Sequence, residues 1–189
     1  MNNLEFKQLE FSNIDDFNRT LSEFSINTKS WDVKGVSSLY DEIQNKECIF
    51  GIENERLHRR VDVVCIKCFH TNSQGERFQL IEEKQVFNNG VERKRGFKCV
   101  SEKLESGELP EKGALRGLSE ELQIFGEDVQ VISLPHENKS EKKESGSYKG
   151  IDCTYNTFFF SCEIFHHYYQ NIYVEVQKDK QTFFSWLKI

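Results

Sequence analysis

Apolar positions change their spacing several times along the chain, and each change marks a predicted element. Phe17, Leu21 and Phe24 recur at helical spacing after two acidic residues, and VSSLYDEIQ (residues 36–44) repeats that spacing. In RVDVVCIKCFH (residues 60–70) both alternating faces are apolar, which is typical of a strand buried on two sides. The pattern therefore predicts short amphipathic helices followed by a central strand.

The next stretches predict a hairpin and then one mid-chain helix. FQLIEEKQVF (residues 78–87) and VERKRGFKCV (residues 91–100) are joined by Asn-Asn-Gly, and Asn-Gly favours the positive φ angles of a tight turn. A charged loop leads into PEKGALRGLSEEL (residues 110–122), where Pro110 fits the first helical turn. The predicted apolar stripe of this helix is Ala114, Leu115, Leu118 and Leu122.

The last third of the chain is predicted to be mostly β-structure. Strand-favouring residues fill four segments, and a polar stretch from His136 to Gly150 reads as a mobile loop. The four segments are residues 128–134, 152–165, 171–176 and 182–189. Helices, strands, one loop and helix, and then more strands indicate an α/β or α+β domain with a mixed sheet.

The composition narrows the class of protein. The chain has 189 residues, with 25 Lys and Arg against 31 Asp and Glu, and the net charge of −6 argues against dedicated DNA binding. A hydrophobic content of 37% is enough to build a core. No apolar run approaches the roughly 18 residues of a membrane span, and the charged N-terminus is unlike a signal peptide. We therefore expect a cytoplasmic protein without a membrane partner.

The six cysteines lack the regular spacing of a disulfide framework, so we expect reduced thiols. Cys65 and Cys68 form one Cys-X-X-Cys pair, the spacing found in zinc and redox sites. No second pair follows, and residues three apart on a strand point to opposite faces. Structural thiols are the favoured interpretation.

The segment with most chemical content is EKLESGELPEKGALRGLSEELQI, residues 102–124. It resembles the box of the Nudix family, GX5EX7REUXEEXGU, in which U is a bulky aliphatic residue. Aligned on the adjacent glutamates, six of the nine defined positions agree. They are Glu108, Arg116, Leu118, Glu120, Glu121 and Ile124. Three depart, with Glu102 at the first glycine, Gly117 at the glutamate after the arginine and Gln123 at the last glycine.

The resemblance implies a Nudix-like α/β/α sandwich over residues 52–189, with residues 1–51 as an N-terminal helical extension. It implies a hydrolase that cleaves the diphosphate of a nucleoside diphosphate-linked substrate with Mg²⁺ or Mn²⁺. Hard cations prefer clustered carboxylates. The implied site residues are Glu120, Glu121 and Glu108 as metal ligands, with Glu121 and Arg116 as catalytic residues.

Basic residues near the box are candidates for substrate binding. Lys103 lies in the approach to the helix, and Arg93 and Arg95 lie on the predicted hairpin. Guanidinium and ammonium groups form strong charge-assisted hydrogen bonds with phosphate. The alternative for the hairpin charges is a solvent-facing surface.

Gly117 is the departure with the largest consequence. Residues three and four apart share a helical face, so a glutamate at position 117 would lie beside Glu120 and Glu121 and complete a three-carboxylate site. With fewer anionic ligands, metal affinity and hydrolysis fall. Glu105, Glu108 or an acidic residue from a later strand would have to compensate. Three hypotheses stay open: a hydrolase, a catalytically weakened domain that binds a nucleotide or a protein partner, and a purely structural interaction module.

Overall fold

The computed structural model describes residues 6–31, 34–125, 129–178 and 180–189. The helices in these ranges are α1 (Ile14–Glu23), α2 (Val36–Gln44) and α3 (Pro110–Leu122). The strands are β1 (Lys7–Gln8), β2 (Ile49–Glu53), β3 (Arg56–Thr71), β4 (Arg77–Phe87), β5 (Glu92–Phe97), β6 (Val100–Lys103), β7 (Val131–Ser133), β8 (Lys139–Glu144), β9 (Asp152–Glu163), β10 (Ile172–Val176) and β11 (Lys180–Lys188). This composition of helices and antiparallel strands confirms the predicted α+β class.

The chain forms two compact units, each made of separate segments. The first unit contains the residues up to Asp62 together with Lys103–Gly107 and Lys139–Thr157. The second unit contains Val63–Glu102, Glu108–Asn138 and Phe158–Ile189. The sequence-based division into residues 1–51 and 52–189 stays a prediction.

In the first unit, α1 and α2 pack together beside antiparallel strands. Asn13 begins α1 by accepting a hydrogen bond from the backbone N–H of Asp16 (2.9 Å), which satisfies one of the free N–H groups of the first turn. Phe17 and Leu21 are buried, as their helical spacing predicts. The strands pair in the order β1, β2, β3, and β8 pairs with β9.

The predicted loop between His136 and Gly150 is wrong in part, because its centre is a strand. β8 (Lys139–Glu144) pairs antiparallel with β9, from Lys139 opposite Thr157 to Glu144 opposite Asp152. All six side chains of β8 are exposed, so no apolar alternation marks the strand in the sequence. Backbone hydrogen bonds to a neighbour form this strand, and its charges are typical of a sheet edge.

In the second unit, β3, β4, β11 and β10 are successive neighbours in a sheet, and β5 pairs with β4. Each of these pairs is antiparallel wherever its register is described. The hairpin of β4 and β5 confirms the Asn-Gly prediction, since Gly90 has a φ of +82° and donates to the Phe87 carbonyl over 2.8 Å. Helix α3 contacts β10 and β7.

The buried face of α3 differs from the predicted stripe by one position. Ala114, Leu118 and Leu122 are buried as expected, but the side chain of Leu115 is exposed. Gly113 and Gly117 are buried in its place. A glycine allows a neighbouring strand to approach the helix closely, so the helix turns this face inward.

All six cysteines are free thiols in the structure, and the structural role of Cys65 and Cys68 stays a prediction. Cys68 is buried and Cys65 is partly exposed, as expected for residues on opposite faces of a strand. None of the helices in the described ranges is both long enough and apolar enough to traverse a bilayer.

Candidate functional site

Helix α3 carries the box residues and has well-defined ends. Pro110 occupies the first turn, where its missing N–H costs no hydrogen bond. The helix ends at Leu122, and Gln123 adopts a left-handed conformation with a φ of +56°. That conformation favours glycine, so the substitution of glutamine at this box position places strain at the helix end.

Arg116 organises the acidic residues on the outer side of the helix. Its Nε donates to Glu108 Oε1 over 3.0 Å and its Nη2 donates to Glu108 Oε2 over 2.9 Å. Its Nη1 lies 3.1 Å from Glu120 Oε2 and 3.3 Å from Glu102 Oε1. Hydrogen bonding to Glu108 and the charges of the three carboxylates raise the pKa of Arg116 above its ordinary value. The pairing of Arg116 with the first box glutamate therefore orients these carboxylates.

A small hollow of about 60 Å³ lies beside the helix, within the second unit. Strands β4, β10 and β11 contribute side chains of both charges to its wall, and α3 contributes Glu121. The polar residues that define its chemistry are Glu82, Arg95, Glu121, Glu175, Lys180 and Thr182.

Strand register explains why these residues meet. In the β10–β11 hairpin Glu175 lies opposite Thr182, and Tyr173 lies opposite Phe184. Phe184 in turn lies opposite Glu82 of β4. Cross-strand partners share a face of the sheet, so residues distant in sequence point to one side.

Two carboxyl groups share this hollow. The side chain of Glu121 forms a hydrogen bond with that of Glu175. Burial, the negative charge of Glu175 and that hydrogen bond raise the pKa of Glu121 to about 9, and the charge of Glu102 acts in the same direction. Two adjacent carboxyl groups repel each other when both are ionised, so the pair retains one proton at neutral pH.

Buried polar atoms without a hydrogen-bond partner line the same hollow. Thr182 is 2% exposed and its Oγ1 has no partner, and Glu82 is 4% exposed with no hydrogen bond to its Oε1. Glu82 Oε1 lies 3.4 Å from Arg95 Nη1. Burial raises the pKa of Glu82 and lowers that of Arg95. Buried polar atoms are normally satisfied, so unpaired ones in a hollow indicate room for a ligand.

Two carboxylates and one hydroxyl of the hollow are oxygen donors of the kind that a hard divalent cation prefers. Within the described ranges, no group of three or more His, Cys, Asp or Glu side chains is arranged to hold a metal ion. Mg²⁺, however, is usually held by one or two carboxylates together with water and substrate phosphates. Glu121 and Glu175 supply two carboxylates, and the Thr182 hydroxyl supplies a further oxygen.

The structure distributes the residues predicted from the sequence over four environments, three of them in the second unit. Glu121 and Arg95 line the hollow. Glu108 and Glu120 pair with Arg116, and the side chain of Glu120 is 53% exposed. Arg93 is exposed on β5 opposite Gln85 of β4.

Lys103 belongs to the first unit, where it pairs with two glutamates. Its Nζ lies 2.8 Å from Glu47 Oε2 and 3.0 Å from Glu42 Oε1. These ion pairs and the accompanying hydrogen bonds outweigh burial and raise the pKa of Lys103. The predicted role of Lys103 in substrate binding stays a prediction.

Among the six polar residues that define the chemistry of the hollow, four were not singled out from the sequence: Glu82, Glu175, Lys180 and Thr182. The expectation that an acidic residue from a later strand joins the box helix corresponds to Glu175. Its signal in the sequence is a lone acidic residue on the same strand face as buried Tyr173. Nothing local distinguishes Glu82 or Thr182 from ordinary strand residues.

No protein-family model matches the chain, and no curated protein matches it. Several solved structures are similar. A C. elegans Ap4A hydrolase, in a binary complex, has 13% sequence identity and a TM-score of 0.40, over 68% of this chain and 80% of that one. An Enterococcus faecalis MutT/nudix family protein has 12% identity and a TM-score of 0.43, over 95% of this chain and 57% of that one.

A Nudix hydrolase from M. smegmatis, RenU, has 14% identity and a TM-score of 0.35, over 67% of this chain and 70% of that one. Likenesses at this level carry no argument about this chain. What this chain does must therefore be inferred from its box residues and from the geometry of the hollow.

Proposed function

We propose that the chain is a Nudix-type hydrolase that cleaves the diphosphate of a nucleoside diphosphate-linked substrate with Mg²⁺ or Mn²⁺. The observation that supports this function is the meeting of Glu121 of the box helix with Glu175 in one hollow. When bound, the cation would supply Lewis-acid polarisation of phosphoryl oxygens and charge neutralisation. Attack of water on phosphorus would then release two phosphorylated products.

The side chains of the hollow have complementary tasks in this proposal. Glu121 and Glu175 would hold the cation, and a bound cation would displace the proton that they share. Arg95 and Lys180 line the same wall and supply positive charge for phosphate oxygens. Arg93 lies at the exposed end of the same hairpin face and extends that positive surface. Arg116 fixes Glu108 and so holds the start of the helix.

The test is Mg²⁺-dependent product release from nucleoside diphosphate sugars, dinucleoside polyphosphates and capped RNA. We expect turnover of at least one substrate, and Glu121→Gln should reduce kcat by about a hundredfold, since a metal ligand is lost. Glu111→Gln is the matched control because Glu111 is an exposed glutamate of the same helix. Equal rates for Glu121→Gln and wild type would contradict the proposed role.

A second function is favoured by Gly117 and by the cations of the hollow. Gly117 gives α3 no third carboxylate, and Arg95 and Lys180 already balance part of the negative charge. A domain that binds a nucleotide or a protein partner without cleaving it would have these features. Binding of a nucleoside diphosphate with no turnover in the whole panel would favour this function over hydrolysis.

A further inference from the structure

Strand β10 (Ile172–Val176) forms one edge of the sheet in the second unit. Among the strands of the described ranges, β11 is its single neighbour. Gln177 follows β10 directly and donates its backbone N–H to the Lys180 carbonyl of β11 over 2.8 Å. Bonds to the same neighbour recur at every second residue of an antiparallel strand, so Tyr173 and Glu175 bond to β11 in the same way. The opposite edge of β10 is therefore unpaired within the described part of the chain.

The unpaired edge presents the backbone groups of Ile172, Val174 and Val176. These residues alternate with the two that bond to β11, so their N–H and C=O groups point away from it. Their side chains share one sheet face and are 56%, 39% and 71% exposed. Lys, Pro or a bulge commonly protects a sheet edge, and β10 contains none of them. Its one charged residue, Glu175, lies on the other face, so this edge favours pairing with another strand.

A second copy of β10 fits this edge when Val174 lies on a two-fold axis. Antiparallel pairing about that axis places Ile172 opposite the partner's Val176, and Val174 opposite its own copy. All three outward N–H groups then meet outward carbonyl groups, which gives roughly six hydrogen bonds across the axis. Apolar side chains meet apolar ones on the exposed face. On the other face Glu175 lies opposite the partner's Tyr173, so no like charges are directly opposed.

The neighbouring registers are less favourable. An axis at Glu175 places two glutamates directly opposite each other, which is destabilising. An axis at Tyr173 places Val176 opposite Gln170 of the partner and loses an apolar pair. The sequence of the strand therefore matches itself best about Val174. Such a self-complementary surface is the kind that a two-fold homodimer uses.

We propose that two copies of the chain form a dimer by antiparallel pairing of their β10 strands about Val174. The pairing continues the sheet of the second unit across the axis. A contact made by one five-residue strand is smaller than a standard interface, so we expect a reversible dimer with a Kd on the order of 10 µM. The inference does not require hydrolysis, because it depends on the edge of β10 and not on the chemistry of the hollow.

Sedimentation equilibrium over a range of protein concentrations tests the dimer. We expect the wild-type protein to change from monomer to dimer as its concentration passes the Kd. Val174→Lys should weaken dimerisation by at least about tenfold, because it places two ammonium groups opposite each other on the axis. A wild-type protein that stays monomeric at every concentration would overturn the proposal.

Leu187→Lys is the matched control for this variant. Leu187 is 39% exposed, as Val174 is, and lies on the same sheet face, but it belongs to β11. Strand pairing at the edge of β10 predicts an unchanged Kd for this control. Equal weakening by both lysine variants would show that two sheets pack face to face, which would overturn pairing through β10.

Val174→Pro tests the backbone pairing directly. Proline keeps an apolar side chain and removes the outward N–H, and it is tolerated in an edge strand where that N–H faces solvent. We expect the monomer to keep its circular dichroism spectrum and dimerisation to weaken by about tenfold. Unchanged dimerisation of this folded variant would contradict the pairing of backbone groups at Val174.

Amide hydrogen exchange on the unmodified protein removes any dependence on how the variants fold. Measured by NMR below and above the Kd, exchange at the N–H groups of Ile172, Val174 and Val176 should slow in the dimer. The N–H groups of Tyr173 and Glu175 already bond to β11 and should change little. Equal exchange rates at the three outward groups in monomer and dimer would overturn the proposal.

Discussion

Glu42 in the first unit remains charged although it is only 5% exposed. Lys34 donates to it over 2.7 Å and the Tyr148 hydroxyl donates over 3.1 Å, while Arg59 and Lys103 form ion pairs with it. Burial by itself raises the pKa of Glu42, but the charges of these cations outweigh it and lower the pKa to about 2. The carboxylate therefore stabilises the folded state above the ordinary pKa of glutamate, and that contribution is lost as pH falls toward 2.

Glu42→Gln should lower the free energy of unfolding at neutral pH by about 3 kcal/mol, because it leaves Arg59 buried without its counter-charge. Urea unfolding followed by circular dichroism measures the change. Asp41→Asn is the control, since Asp41 is the exposed neighbour on the same helix and should cost little. A similar small cost for both variants would show that the Glu42 cluster adds no net stability.

Two adjacent glutamates show how strongly residue environment differs along one helix. Glu120 is half-exposed and pairs with Arg116, whereas Glu121 faces Glu175 in the hollow. Successive residues of an α-helix are about 100° apart, so neighbours face different surroundings. The sequence assigned both to the metal; the geometry favours Glu121, and the role of Glu120 stays a prediction.

At the scale of elements, the C-terminal end of α3 carries backbone strain at Gln123. Gln123 holds a φ of +56°, and its backbone N–H donates to the Ser119 carbonyl over 3.1 Å. A residue with a Cβ atom pays a steric cost in this conformation that glycine avoids. The helix end therefore keeps the left-handed backbone conformation although residue 123 is glutamine where the box has glycine.

Gln123→Gly should raise the free energy of unfolding by about 1 kcal/mol, because it relieves the left-handed strain. Thermal unfolding measured by calorimetry tests the change. Gln130→Gly is a suitable control, since Gln130 is exposed and its φ is not positive, so glycine there brings no relief. Equal effects at both positions would mean that the conformation of residue 123 stores no strain.

The β10–β11 hairpin is the element that completes the candidate site. Its register sets Glu175 opposite Thr182 and carries both residues to the face that α3 covers. A shift of one residue would turn Glu175 to the other face of the sheet. The site therefore depends on strand pairing as much as on the box helix.

At the scale of the whole molecule, several titrating groups act on stability in opposite directions. Burial and the neighbouring carboxyl groups raise the folded-state pKa of Glu121 to about 9, so its contribution to stability is present at low pH and is lost as pH rises toward 9. Burial raises the pKa of Glu82, which acts in the same direction. Burial lowers the pKa of His58, so its contribution is lost as pH falls.

The difference in unfolding free energy between wild type and Glu121→Gln isolates the contribution of Glu121. Between about pH 5 and about pH 8 the variant should gain stability relative to wild type, by less than about 1.4 kcal/mol per pH unit, the limit for one proton. Unfolding free energies from urea titrations at several pH values provide the comparison. Parallel pH profiles for the two proteins would show that Glu121 titrates normally.

The sequence by itself determined the elements whose signals are local. Helical spacing located α1, α2 and α3, and alternation with Asn-Gly located the β4–β5 hairpin. The resemblance to the box also selected Arg116, Glu108 and Glu120, which form ion pairs in the structure. These features depend on residues close in the chain, whose geometry is set by helix and turn periodicity.

Only the tertiary structure decided which residues form the candidate site. Glu175 and Thr182 reach Glu121 through cross-strand register, and Glu102 reaches Gly117 through the packing of β6 against α3. The charged strand β8 is likewise formed by pairing with β9, without a pattern of its own. Such contacts depend on backbone hydrogen bonds and close packing between distant segments, and no periodicity along a single segment encodes them.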